Sequence, residues 1–95
     1  EDQIPYSTRL QGAVEILGID PLYLACEGRA ILVVPAKKAD AILKKLRSNP
    51  GGRKATIIGE VQDKIGQPGE ALLETSSGGL RLLEPLTSEL LPRIC

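Results

Sequence analysis

Apolar residues recur at helical spacing twice along the chain and at strand spacing four times. Leu10, Ala13, Val14 and Leu17 fall at i, i+3, i+4 and i+7, one stripe of a short amphipathic helix that Gly18 ends. Asp20-Pro21 opens a new segment, and because proline suits a first helical position, Leu22 to Ala25 reads as one further turn. Ala30 to Val34 is a compact run rich in branched residues, bounded by Gly28 and Pro35, and predicts a buried strand. A second helix follows, with Ala39, Ile42, Leu43 and Leu46 on its apolar face and Lys37, Lys38, Asp40, Lys44, Lys45 and Arg47 on the wet side; Asn49-Pro50-Gly51-Gly52 stops it.

Ala55 to Val61 predicts another strand, with Ile57 and Val61 on one face, Ile58 on the other, and Gly59 at a bulge or a close approach. Gly66 to Gly69 turns the chain, and Ala71–Thr75 and Leu80–Glu84 are two short strands joined by Ser76-Ser77-Gly78-Gly79. This order predicts an α+β fold, a mixed β-sheet with helices packed on one face, over residues 1–84. From Pro85 to Cys95 two prolines interrupt any period, which predicts a flexible C-terminal tail over 85–95. Eleven residues span at most about 36 to 40 Å when extended.

Composition narrows the picture. Ninety-five residues fit one small domain and exclude a complete nucleotide-binding enzyme of two domains; with no methionine, the chain is expected to be a piece of something longer. Hydrophobic residues make up 42 % of it, but only two are aromatic, so the core is aliphatic and thin, and contact with a missing domain or a second copy is expected. Twelve basic and twelve acidic residues cancel, which removes the field that non-specific nucleic-acid binding needs. No apolar run approaches the roughly 20 residues of a membrane span. Two cysteines allow at most one internal disulfide, fewer than small secreted scaffolds carry, and point to a reducing, cytoplasmic setting.

The absence of histidine excludes Ser/His/Asp and Cys/His catalysis within these residues and removes the commonest metal ligand; two scattered cysteines make no zinc site. Glycine-rich Asn49 to Lys54 lacks the spacing and ending of a phosphate loop and reads as a helix-stopping turn. Glu60, Asp63, Glu70 and Glu74 read as solvated surface. Glu27 is different, because it lies between a short apolar segment and a predicted strand and precedes Gly28, which allows backbone or ligand to approach closely. Cys95 is a thiol at the end of an arm, suited to carrying a group between sites as a thiolate, or else an ordinary terminal cysteine. The residues alone leave both readings open.

The ending Leu91-Pro92-Arg93-Ile94-Cys95 resembles the Pro-Arg-Ile-Cys terminus of the HypE family, NiFe-hydrogenase maturation factors of the AIR-synthase-like (PurM-like) superfamily. Leu17 to Ala25, Glu27-Gly28-Arg29, Ile58-Gly59-Glu60-Val61 and Gly79-Leu80-Arg81 resemble further landmarks of that family in order. The resemblance implies a PurM C-terminal-like domain followed by a cargo-carrying tail. It implies that a carbamoyltransferase, HypF, loads a carbamoyl group onto Cys95, that ATP-dependent dehydration converts it to thiocyanate, and that cyanide passes to iron held by HypC and HypD. It makes Glu27 the leading candidate for a base or proton relay, places the ATP and magnesium ligands mainly in a preceding domain, and implies a homodimer for the full-length protein. These residues alone are then expected to be inactive. One departure matters: where the family commonly has Asn before this Glu-Gly, this chain has Cys26, which loses an amide hydrogen-bonder; Cys26 is expected to be a small buried residue.

Two rivals remain: the C-terminal domain of another AIR-synthase-like ATP-dependent enzyme, which has no reason to end in Pro-Arg-Ile-Cys, and a non-catalytic interaction module docking through Leu86, Leu90 and Leu91.

Overall fold

The computed structural model describes residues 1–63 and 65–87. They fall into two compact units, one made of Glu1–Pro5 and Val33–Glu84, the other containing Tyr6–Leu32 with residues 85–87.

The second unit is built on helix α1, Thr8–Leu17. Ser7 caps its start with Oγ accepting from the Leu10 N–H at 3.2 Å, and the first helical bond runs from the Gln11 N–H to the Ser7 carbonyl at 3.0 Å. At the other end Gly18 turns left-handed at φ 64°, and the Ile19 N–H reaches back to the Val14 carbonyl at 3.1 Å, closing the helix in the Schellman manner. Of the predicted stripe, Val14 is buried and Leu10 half-buried, whereas Ala13 and Leu17 face solvent. Pro21–Tyr23 then forms a single 3₁₀ turn.

In the first unit helix α2, Ala36–Arg47, follows Pro35, and its four predicted apolar positions, Ala39, Ile42, Leu43 and Leu46, are its half-buried ones. Lys44, Lys45 and Arg47 sit in the last turn, where cations complement the exposed carbonyls. The stop signal works through packing as well as conformation: a Cβ on Gly52 would lie 2.1 Å from the Leu46 carbonyl oxygen, so the 3₁₀ turn Pro50–Gly52 folds back on the helix end only because that residue is glycine. Arg47 Nε then donates to the Ala55 carbonyl at 2.8 Å.

Strands β1, Ala71–Glu74, and β2, Leu80–Leu83, pair antiparallel in the register Ala71 with Leu83, Leu72 with Leu82, Leu73 with Arg81 and Glu74 with Leu80. Their connection is a tight turn in which the Gly78 N–H donates to the Thr75 carbonyl and the Thr75 N–H to the Gly79 carbonyl, both at 2.8 Å, with Gly78 at φ 88°. The Glu1 and Asp2 carboxylates accept from Ser76, at 3.1 Å from its N–H and 2.6 Å from its hydroxyl respectively, which ties the first residues to the hairpin tip.

The α+β class is borne out, and so are both helices and the hairpin. Two expected strands are not formed. Ala30–Val34 and Ala55–Val61 carry no regular secondary structure, and the sheet among the described residues consists of β1 and β2. The physical reason is that strand propensity acts only through a neighbour: without a ladder partner, the N–H and C=O groups gain nothing from an extended conformation. Most of their apolar side chains accordingly remain in solvent, with Ile31 82 % and Val33 80 % exposed, while Val34 and Ala55 are half-buried. Among the described residues the buried hydrophobics are Val14 and Leu73, and neither is fully enclosed.

Candidate functional site

Glu27 lies at the end of a segment whose geometry is set residue by residue. After Gly18 closes α1, Asp20 stays extended and its Oδ1 accepts from the Leu22 N–H at 3.0 Å, capping the turn that Pro21 opens. The Tyr23 N–H donates to the Asp20 carbonyl at 3.1 Å and the Leu24 N–H to the Pro21 carbonyl at 3.4 Å, and Ile19 to Leu24 are half-buried. Beyond Leu24 the chain emerges into solvent: Ala25 to Val33 are all exposed. Glu27 and Gly28 form a turn there, with Gly28 at φ 77°, a conformation that a Cβ would strain. The Glu27 carboxylate therefore stands on an exposed turn, anchored upstream by the Asp20 cap and followed by the unpaired Ala30–Val34 segment.

Cys26 also differs from expectation. It is a free, exposed thiol rather than a buried one, because it falls within the stretch that has left the packed turn; its Sγ lies 4.0 Å from the Glu27 carbonyl oxygen. Cys95, with all of 88–95, lies outside the described residues, so Glu27 is the member of the candidate pair that the structure places.

Two other acidic residues, Glu70 and Glu60, serve local geometry. Glu70 Oε2 accepts from the Gln67 N–H at 2.7 Å and braces the Gly66–Gly69 turn, and Glu60 accepts from the Gln62 amide. Among the described residues no group of three or more His, Cys, Asp or Glu is placed to hold a metal ion. The glycines of Asn49–Lys54 and Ser76–Gly79 are used in a close approach to α2 and in the hairpin turn. What the sequence did not announce is the grip of Glu1 and Asp2 on Ser76, across more than seventy residues, for which local patterning contains no signal. No helix among the described residues is long and apolar enough to cross a membrane.

The family model described as AIR synthase related protein, C-terminal domain, matches residues 1–80. The chain belongs to this family. As an AIR synthase related C-terminal domain it is similar over its whole length to carbamoyl dehydratase HypE of Azotobacter vinelandii, at 42 % identity, and to carbamoyl dehydratase HypE of Cupriavidus necator, at 41 %. Carbamoyl dehydratase HypE of Escherichia coli K12 is 36 % identical, again across the whole chain. The chain spans about a quarter of the length of these relatives, 27 % of the Azotobacter and Escherichia proteins and 26 % of the Cupriavidus one. No solved structure matches it.

Proposed function

We propose that this AIR synthase related C-terminal domain belongs to a carbamoyl dehydratase of hydrogenase maturation, and that residues 85–95 form the arm that carries its substrate on Cys95. The observation that carries the reading is identity of about 40 % along all 95 residues to proteins named carbamoyl dehydratase HypE. The Pro-Arg-Ile-Cys sequence of residues 92–95 adds a thiol of the chemistry needed to carry such a group.

In this reading a HypF-type carbamoyltransferase forms an S-carbamoyl group on Cys95. An amide oxygen is a poor leaving group, so ATP, accompanied by magnesium, phosphorylates it while one N–H proton departs, leaving an S-bound imidate phosphate and ADP. Loss of phosphate and of the second N–H proton then yields the S-cyano group, and the oxygen leaves in inorganic phosphate. Glu27 is the residue of this chain suited to accept a proton from that nitrogen, since it is a carboxylate on an exposed turn. Nucleotide and magnesium are held mainly by the polypeptide outside these residues, the cyanide passes to an iron centre on a HypC–HypD complex, and the full-length protein is a homodimer in the cytoplasm.

The deciding experiment is intact and peptide mass analysis of the full-length protein after incubation with carbamoyl phosphate, ATP and the carbamoyltransferase. A carbamoyl adduct that becomes a cyano adduct on Cys95 is expected. Adducts confined to another residue overturn the assignment. The interaction-module reading has one observation in its favour, the exposed Leu86, and is distinguished by deleting Cys95 alone: docking survives and adduct formation does not.

A further inference from the structure

Charge is spread unevenly along the chain. Seven of the twelve basic residues lie between Lys37 and Lys54, a stretch in which Asp40 is the one acidic residue, so the overall balance hides a strongly positive region. Helix α2 sorts it. Lys37 and Lys44, like Lys38 and Lys45, are two turns apart and stand nearly one above the other; all four are exposed, on the side opposite the half-buried Ala39, Ile42, Leu43 and Leu46. Past the helix, the approach of Gly52 to the Leu46 carbonyl and the bond from Arg47 to the Ala55 carbonyl hold the chain on the helix end, which keeps exposed Arg53 and Lys54 beside the last turn.

Two features separate this face from an ordinary wet one. A solvated helix face usually mixes signs three or four residues apart; here Asp40 is so spaced from Lys37 and Lys44, but no carboxylate is so spaced from Lys38 or Lys45. The helix ends decide further. Lys44 and Lys45 suit the last turn, whereas Lys37 and Lys38 occupy the first, where the helix is itself positive, no acidic residue offsets them and Pro35 gives no side-chain cap. Residues that work against their own element are expected where something else uses them.

We propose that Lys37, Lys38, Lys44 and Lys45 form a docking face for an acidic surface of a partner protein, which they attract at long range. Lysine supplies compact, hydrated charges rather than forks that fix a carboxylate through two bonds, and so favours fast, reversible encounter over a tight fit. A membrane suits the face less, because Ala41, the apolar residue among the lysines, is too small to insert. Nucleic acid suits it less because the face has no aromatic ring to stack a base and the chain carries no net positive charge. A second copy offers no concentrated match, since its other acidic residues are dispersed from Glu1 to Glu89. The identity of the partner rests on the carbamoyl dehydratase reading, in which the protein meets a carbamoyltransferase and an iron-carrying complex in turn.

Stopped-flow association of the full-length protein with the HypF-type carbamoyltransferase and with the HypC–HypD complex tests it. With at least one of them, raising the ionic strength from about 0.01 M to about 1 M, which shortens the screening length from about 30 to about 3 Å, is expected to slow association on the order of 10-fold or more. Lys37→Glu/Lys38→Glu is expected to slow the low-salt rate with that partner by about 10-fold and to flatten its salt dependence. The same variant is expected to melt at a higher temperature, since carboxylates suit a first turn. Lys44→Gln/Lys45→Gln is expected to lose rate in the same way without the gain in stability. Salt-insensitive association with both partners, or variants that associate at the parental rate, overturns the proposal. So does salt-sensitive binding to phosphatidylserine vesicles, duplex DNA or a second copy that the variants lose while association with both partners is unaffected. Association is read without turnover, so the two readings fail separately: steered binding with no adduct on Cys95 overturns the carbamoyl chemistry and leaves the docking face standing, and an adduct formed after unsteered binding does the reverse.

Discussion

Strand β2 and the segment Ala30–Val34 are both short aliphatic runs, yet one is paired and the other lies bare. Leu80-Arg81-Leu82-Leu83 meets its partner across a five-residue connection, Thr75–Gly79, so the entropy of closing the loop is small and the partner is always near. A lone hairpin is marginal in water, and this one is tied further by Glu1 and Asp2 at its tip and by burial of Leu73. Ala30–Val34 has equal or better strand chemistry but no neighbour within reach of a tight turn. Covering its side chains is worth about 1.5–3 kcal/mol each, and that free energy is unrealised among the described residues. The difference teaches that in this chain local patterning is sufficient where the partner is local, and that strand propensity alone does not order the segment that follows Glu27 among the described residues.

The largest effect expected to separate the two kinds of region is on the tail. In the full-length protein Cys95→Ala is expected to abolish cyano adduct formation while leaving the melting curve unchanged, because residues 85–87 are exposed and the core positions, Val14 and Leu73, lie elsewhere. A shifted melting transition would show that the ending is part of the packed structure. Next comes Glu27→Gln, which keeps size but removes the basic carboxylate: Cys95 is still carbamoylated, and conversion of carbamoyl to cyano slows by roughly 10²- to 10⁴-fold, the range of a lost general base. Time-resolved mass analysis reads both steps. Conversion at the parental rate reduces Glu27 to a turn residue; failure to become carbamoylated places it earlier, at thiol activation or docking.

Legibility followed the range of the interactions. Helix α2 was readable because its four apolar positions, its basic last turn and its Pro-Gly-Gly stop all agree within seventeen residues. The hairpin was readable because Gly78 and Gly79 sit where the turn needs them. The Ser7 cap of α1 starts the helix earlier than its apolar stripe, which begins at Leu10. Ala30–Val34 and Ala55–Val61 announce strands truthfully as propensity, but propensity names no partner, and exposure of Cys26 could not be foreseen without knowing that the chain leaves its packed turn after Leu24. Of the candidate site, Glu27 was singled out from its glycine neighbour and from family resemblance; its place on an exposed turn and the capping of the preceding turn by Asp20 are what the structure adds.

A smaller effect is expected from truncating Leu73, which is 6 % exposed on β1 opposite Arg81. Leu73→Ala is expected to destabilise the full-length protein by about 2–5 kcal/mol, the cost of lost burial plus a cavity, read by denaturant titration. Leu32→Ala sharpens the contrast: with its side chain in solvent it is expected to change stability by less than about 0.5 kcal/mol. An equally small value at Leu73 would mean that β1 is not part of a packed core.

The smallest effect concerns Asp20, whose Oδ1 holds the Leu22 N–H at 3.0 Å and so fixes the entry to the Pro21–Tyr23 turn that precedes Glu27. Removing a capping acceptor costs about 0.5–2 kcal/mol in helices, and a single 3₁₀ turn with Pro21 already restricting the backbone belongs at the low end. Asp20→Ala is therefore expected to lower stability only slightly in denaturant titration. Asp20→Asn retains an oxygen acceptor at the same position and is expected to recover most of the loss. If Asn is as damaging as Ala, the charge of Asp20 rather than its hydrogen bond is what the turn requires. The same pair of variants reports on the site: if Asp20 matters through Glu27, Asp20→Ala also slows conversion of carbamoyl to cyano, and Asp20→Asn restores it. A rate that is unchanged in Asp20→Ala means that the cap before Leu22 is not what holds Glu27 in place.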